Sequence, residues 1–288
     1  MTADRRSYSA TTICVAVYSS SWFRDFMMAG SSMCSQVLKD RTLYDWAETV
    51  LIVAVALGAA AGVAKALFGL APPFQLDYGE GHLLALATRV AHGATPYPDP
   101  TKPPYAMNPY GPVGVYLAAA CVKLFGAAFT TPRILVMLCG LWCGALIALL
   151  VRQWGGEVPV AVLSGLLYLS RSTVQDWLPR LRVDLIGLAF VLTGLYIFVR
   201  SRHWQISVPF FVAAILCKTT LVAGPAACLA YALVKGERQK ALRFGVSIIA
   251  LGAVAFLWAQ RATHGWFAFH TLWLNAAQPY KWQSTFWY

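Results

Sequence analysis

Two carboxylates three positions apart, Asp77 and Glu80 in FQLDYGEGHLL, stand among glycines directly after a long apolar run. An ionised carboxylate within hydrogen-bond reach of a hydroxyl or amine can take its proton as that group attacks. The same acids at a helix start can instead complement its N-terminal partial positive charge, an effect worth about 0.3–1 kcal/mol. The residues alone leave both roles open. Further along, Lys218 interrupts the apolar stretch around LCKTT. An ionisable residue in such a place is a functional candidate by default, with placement at a turn as the competing explanation. Arg171, Arg180, Arg182 and Asp184 crowd into SRSTVQDWLPRLRVD, either as a solvated charge cluster or as part of one site.

These side chains sit in a chain that water cannot cover. Of its 288 residues 58% are hydrophobic and only 12% charged, and the mean hydropathy is +0.57. A soluble domain is about half apolar and about a quarter charged, so the composition is that of a polytopic membrane protein. The net charge of +11 does not imply nucleic acid, because the basic residues fall mostly in short connectors between apolar runs, where they set membrane topology. The seven cysteines form no CxxC pair and no metal-type spacing with histidine. They read as buried, reduced and structural.

Apolar runs recur at Thr49–Ala71, Gly111–Phe129, Ile134–Val151, Val158–Leu169, Val183–Val199, Ile206–Cys217, Leu221–Val234 and Phe244–Ala259. No strand-like alternation is sustained, so the fold class is all-α. A crossing needs roughly 20 apolar residues, with about 17 as the lower bound. The runs starting at Val158, Ile206 and Leu221 are shorter than that. Arg5, Arg6, Arg24, Lys39 and Arg41 place the N-terminus in the cytosol by the positive-inside rule. If Gly111–Phe129 lies against the outer face without crossing, the connectors after it put seven positive residues in the cytosol (Arg152, Arg200, Arg202, Lys235, Arg238, Lys240 and Arg243) and six outside (Arg133, Arg171, Arg180, Arg182, Lys218 and Arg261). The expectation is therefore about seven transmembrane helices. In this arrangement the acid pair, the arginine-rich segment and Lys218 all share the outer side.

Residues 1–45 read as a cytosolic tail, disordered or with a true start at Met27, Met28 or Met33. Residues 46–263 form the membrane core, and 264–288 begin an outer loop or a truncated C-terminal region. Between the first two apolar runs, EGHLLALATRVAHG sets Leu83, Leu86, Ala87 and Val90 at helical steps, as in an amphipathic interfacial helix. The following ATPYPDPTKPPYAMNPYGP packs seven prolines and three tyrosines into a stiff strip. Loops this long without regular structure are uncommon unless functional. His82 and His92 make no recognisable metal set. Lys65 lies about 9 Å below the outer end of the first helix and is expected to snorkel. Trp154, Trp177, Trp204 and Trp266 read as interfacial belt anchors.

The order of these pieces resembles a known superfamily. DYGEG follows the first helix, then come the G-x-x-P-Y step from Gly93 to Tyr97, NPYGPVGVYLAAACVKLFG, LSRS…LRVD and CKTT. From about residue 46 onward this is similar to the GT-C integral-membrane glycosyltransferases. It most resembles their family 39-like branch of protein mannosyltransferase-like and aminoarabinose transferase-like enzymes. The resemblance implies a GT-C core with a large first outer loop, and transfer of a sugar from a polyprenyl-phosphate donor to a lipid, glycan or protein acceptor. It puts the catalytic acid at Asp77 with Glu80 as its neighbour, although the two acids here are split by Tyr78 and Gly79 where the family often has them adjacent. It further implies Lys218, Arg171 and Arg182 as phosphate ligands, Asp184 as a second-loop acid, and Tyr97 and Tyr110 as loop contacts. Attack opposite the lipid phosphate would invert the anomeric centre. A divalent cation held by Asp77, Glu80 or Asp184 is left open, and the expected setting is the plasma (inner) membrane with the site outside. A transporter or lipid flippase, or a non-catalytic GT-C-like subunit, is the alternative. Relatives normally continue beyond the seventh helix, so a fragment or short variant is also expected.

Overall fold

A computed structural model of the chain describes residues 41–103 and 105–277. The expected tail up to residue 40 and residues 278–288 lie outside the described residues. Where apolar runs predict helices, helices form: α1 (Arg41–Leu70), α3 (Pro112–Phe125), α4 (Thr130–Gln153), α5 (Val158–Ser170), α7 (Val183–Arg200), α8 (Ser207–Ile215), α9 (Ala223–Val234) and α10 (Arg238–Ala262). The amphipathic stretch forms α2 (Glu80–Ala91), and α6 (Ser172–Trp177) is a short turn inside the arginine-rich segment. No strand occurs among the described residues.

Four of these helices are long and apolar enough to cross a membrane by length and composition: α1 from Trp46, α4, α7 and α10. The others fall short. The 14 residues of α3 span only about 21 Å at 1.5 Å each, against a hydrocarbon core of about 30 Å. A 3₁₀ turn at Trp204–Ile206 lengthens α8, and one at Thr219–Val222 lengthens α9.

The main core gathers α2, α3, α4 and the start of α7 around Leu83, Leu86, Val115, Val136, Leu178 and Ile186. The apolar stripe of α2 is therefore spent on protein, with Leu83, Leu86 and Ala87 buried where the sequence alone suggests an interface with lipid. A second core joins α7, α8, α9 and α10 through Phe198, Phe211 and Phe244. After α10 the chain turns at Gly265 (φ 95°) into α11 (Trp266–Ala268), a π-helical turn (Phe269–Trp273) and α12 (Leu274–Ala276). Phe267 packs edge-on against Tyr97 at 5.1 Å and so supports the proline-rich strip.

NPYGP explains how that strip becomes α3. The Asn108 side chain accepts the Tyr110 amide at 3.1 Å, an Asx turn of the kind asparagine favours. Gly111 then brings its backbone against the end of α8, where its N–H meets the Cys217 carbonyl at 3.2 Å and the Val113 N–H meets Leu216 at 3.2 Å. A Cβ on Gly111 would stand 1.9 Å from the Leu216 oxygen, so only glycine fits. Pro112 opens the helix, where its missing N–H costs nothing.

Candidate active site

The acids at the exit of α1 separate into two environments. Glu80 is fully buried, and so is Arg133 from the first turn of α4. Arg133 donates from Nε to Glu80 Oε1 at 3.0 Å and from Nη2 to Oε2 at 2.8 Å, the bidentate geometry a guanidinium offers a carboxylate. Its remaining donors reach the carbonyls of Pro72 and Phe74, each at 2.7 Å, and of Gly69 at 3.3 Å. Glu80 also accepts the backbone N–H of Leu181 at 2.6 Å and that of Leu76. Burial alone would raise the Glu80 carboxyl, but Arg133 and the two amides outweigh it and hold the group below its ordinary value. One ion pair thus binds the end of α1, the turn of residues 72–80, α4 and the approach to α7. Neither acid caps α2: its N-cap is Gly79, with no side-chain cap bond.

Asp77 meets a different cation. Its Oδ2 lies 2.9 Å from Arg182 Nε, both side chains retaining a little exposure. The approach is off the hydrogen-bond line, so both buried atoms lack an aligned partner. Arg182 is shared further. Its Nη1 donates to the Tyr110 hydroxyl at 3.2 Å, and its guanidinium lies 5.2 Å from the ring centres of both Tyr78 and Trp177. Burial alone would depress the Arg182 pKa; Tyr78, Tyr110 and Asp77 outweigh this and raise it. Gly79 makes room for this arrangement, since a Cβ there would come within 2.4 Å of Arg182 Nη1. Trp177, expected in an interfacial belt, serves here as one wall of the arginine.

Beside this cluster Lys218 donates to Asp184 Oδ1 at 2.6 Å. The two join the start of α7 to the 3₁₀ turn before α9 and line a cleft of about 310 Å³ with Tyr168, Thr173, Trp177 and Thr220. Tyr110 connects the pairs. Desolvation raises its phenol, with Arg182 and Lys218 pulling down and Asp184 and Tyr78 pushing up. Tyr97 is buried and donates its hydroxyl to the Tyr110 carbonyl at 2.9 Å, fixing Tyr110 from behind.

The structure therefore brings together Asp77, Arg182, Tyr110, Asp184 and Lys218, with Tyr97 in support. Glu80 stands apart behind them. Arg171 is exposed at the junction of α5 and α6, and its side chain makes no hydrogen bond or ion pair with the others. Among the described residues no three His, Cys, Asp or Glu side chains group as a metal site; Asp77, Glu80 and Asp184 are each held by a different base. Lys65, expected to snorkel, is instead paired with Asp176 at 2.5 Å. Arg133 and Tyr78 belong to this region, although along the sequence Arg133 is only one of the six positive residues on the outer side and Tyr78 only separates the two acids. The signal for Arg133 was an arginine entering an otherwise apolar run at TTPRILVM.

Four helices long and apolar enough to cross a bilayer mark a multi-pass membrane protein, and the acid–base cluster lies where several of its helices begin or end. Residues 106–264, just over half of the chain, match the family model described as dolichyl-phosphate-mannose-protein mannosyltransferase, and the chain belongs to that family. It is a GT-C glycosyltransferase that uses a lipid-linked donor. The matched region contains Tyr110, Arg133, Arg171, Arg182, Asp184 and Lys218, whereas Asp77, Glu80 and Tyr97 precede it. No curated protein and no solved structure matches the chain.

Proposed function

We propose that this protein transfers a sugar from a polyprenyl-phosphate donor to a lipid, glycan or protein acceptor on the outer membrane face, with Asp77 as general base. The observation that carries the proposal is the Asp77–Arg182–Tyr110 cluster beside Lys218. A carboxylate for the acceptor's proton is paired with one cation, Arg182, and a second cation, Lys218, lies on the other side of Tyr110. The acceptor O–H or N–H gives its proton to Asp77 as its lone pair attacks the anomeric carbon. The bond from that carbon to the phosphate oxygen breaks, and the polyprenyl phosphate leaves with the electron pair. Arg182 meets the growing charge with its planar donors and Lys218 as a point charge. Attack from the side opposite the phosphate inverts the anomeric centre.

An apolar cavity of about 540 Å³ supports a lipid donor. Val212, Ile215, Ile248 and Phe256 are among its walls, and its rim reaches Gly111 and Thr219, the chain neighbours of Tyr110 and Lys218. A prenyl chain lying there would deliver its phosphate beside both cations. Glu80 and Arg133 hold the turn that carries Asp77. Transfer of labelled sugar from a panel of polyprenyl-phosphate hexoses in proteoliposomes tests the proposal. Asp77→Asn is expected to lower turnover by at least about 100-fold with an unchanged thermal midpoint. Wild-type turnover in that variant would remove Asp77 as the base.

A further inference from the structure

His270 is the one fully buried imidazole among the described residues, and both its ring nitrogens hold the proline-rich strip from a distance of more than 160 positions in sequence. Nδ1 accepts the Asn108 backbone N–H at 3.0 Å, so Nε2 carries the proton and donates to the Pro98 carbonyl at 2.8 Å. The ring thus ties the two ends of residues 98–108 together. Around this tie, Asn275 donates to the Pro109 carbonyl at 3.0 Å and Tyr97 packs on Phe267. The chain of contacts then continues from Tyr97 to the Tyr110 carbonyl and from the Tyr110 hydroxyl to Arg182.

We infer that neutral His270 is a positioning residue for the donor-phosphate site, holding Tyr110 against Arg182 through the strip it clamps. This rests on the proposed function, since it takes Arg182 as a phosphate ligand. The contact depends on charge state. An imidazolium has a donor on each nitrogen, so Nδ1–H would face the Asn108 N–H and that hydrogen bond would be replaced by a repulsion. The groups facing the ring are Tyr97 at 5.7 Å, Phe269 at 5.5 Å, the Pro98 carbonyl and the Asn108 amide. Among the described residues no carboxylate or cation pairs with it; Asp99 and Lys102 on the strip pair with each other at 3.4 Å. Burial lowers the His270 pKa, and the Pro98 carbonyl only partly offsets this. The neutral clamp is therefore intact above the ordinary histidine value and is lost as pH falls through the lower folded one.

The test uses the full chain in detergent, with undecaprenyl phosphate as the probe. Its Kd and the hydrogen-exchange protection of the Asn108 amide, corrected for intrinsic rates, are measured from about pH 8 to about pH 5. His270→Phe keeps an aromatic ring but no hydrogen bond, and should strip protection at Asn108 and raise Kd about 10-fold at neutral pH. His270→Gln offers one donor beside one acceptor without titrating, and should restore both within about threefold. Its Kd should follow only the titration of the phosphate itself, whereas wild type should weaken about 10-fold more at the acid end. Protection blind to His270→Phe would overturn the clamp. Protection lost with Kd unmoved, or identical pH profiles for wild type and His270→Gln, would overturn the positioning role. Absence of binding by wild type at every pH would overturn the proposed donor site and the positioning role with it. If His270→Phe does not fold, the comparison of wild type with His270→Gln decides the matter.

Discussion

Glu80 and Arg133 show how a carboxylate three residues from a proposed base can serve that base without touching substrate. Both are withdrawn from solvent, and the five Arg133 donor contacts leave the turn of residues 72–80 little freedom. Removing one member of such a pair strands a buried charge, at a cost of about 3–5 kcal/mol. Arg133→Met should therefore lower the thermal midpoint sharply. The double variant Glu80→Leu with Arg133→Met should recover much of that stability but not the transfer activity, since the carbonyls of Gly69, Pro72 and Phe74 lose their donor. A double variant no more stable than Arg133→Met would mean that the ion pair itself is not what the single change breaks. Lys218 differs because it keeps some exposure and, among the described residues, its side chain pairs with Asp184 alone. A charge-assisted hydrogen bond to a phosphate is worth about 1.5–3 kcal/mol, so Lys218→Ala should weaken polyprenyl-phosphate binding roughly 10- to 100-fold. An unchanged Kd would take Lys218 out of the phosphate site.

At the scale of elements, the junction between the proline-rich strip, α3 and α8 decides where Tyr110 points. Gly111 and Leu216 meet backbone to backbone, which no rotamer change can relieve. Gly111→Ala should cost on the order of 1–3 kcal/mol, as overpacking does in a filled core, and should also reduce donor affinity by shifting Tyr110. A thermal midpoint equal to wild type would show that the junction can open without penalty. The shortness of α3 has the same consequence. A helix of about 21 Å that packs its buried face against α2 and α7 is a platform for the site. NPYGP carries the signal for its start: an Asx turn, a glycine for close approach and a proline at the first helical position.

At the scale of the whole molecule, stability should depend on pH through Glu80. Its folded pKa lies below the ordinary 4.5, so the unfolded chain binds the proton more readily. The contribution is complete above the ordinary value and is lost as pH falls toward the folded one. The thermal midpoint should decline below about pH 4.5, and Glu80→Gln should start lower and flatten that slope; parallel curves would exclude Glu80 as its source. The sequence by itself determined the solvent, the class and most helices, because a bilayer demands long apolar runs and internally bonded backbone. It also marked Asp77, Asp184, Lys218 and Arg182 as unusual, since charge in so apolar a chain is conspicuous. Which charge meets which was decided only by tertiary structure. Glu80 and Asp77 differ by three positions, yet one faces Arg133 in the core and the other Arg182 at the site. His270 reads as one more residue of an aromatic tail until the fold sets it between Pro98 and Asn108. Hydropathy and spacing act along the chain, whereas these partners lie 53 to 172 positions away, and only packing brings them within the roughly 3 Å over which hydrogen bonds act.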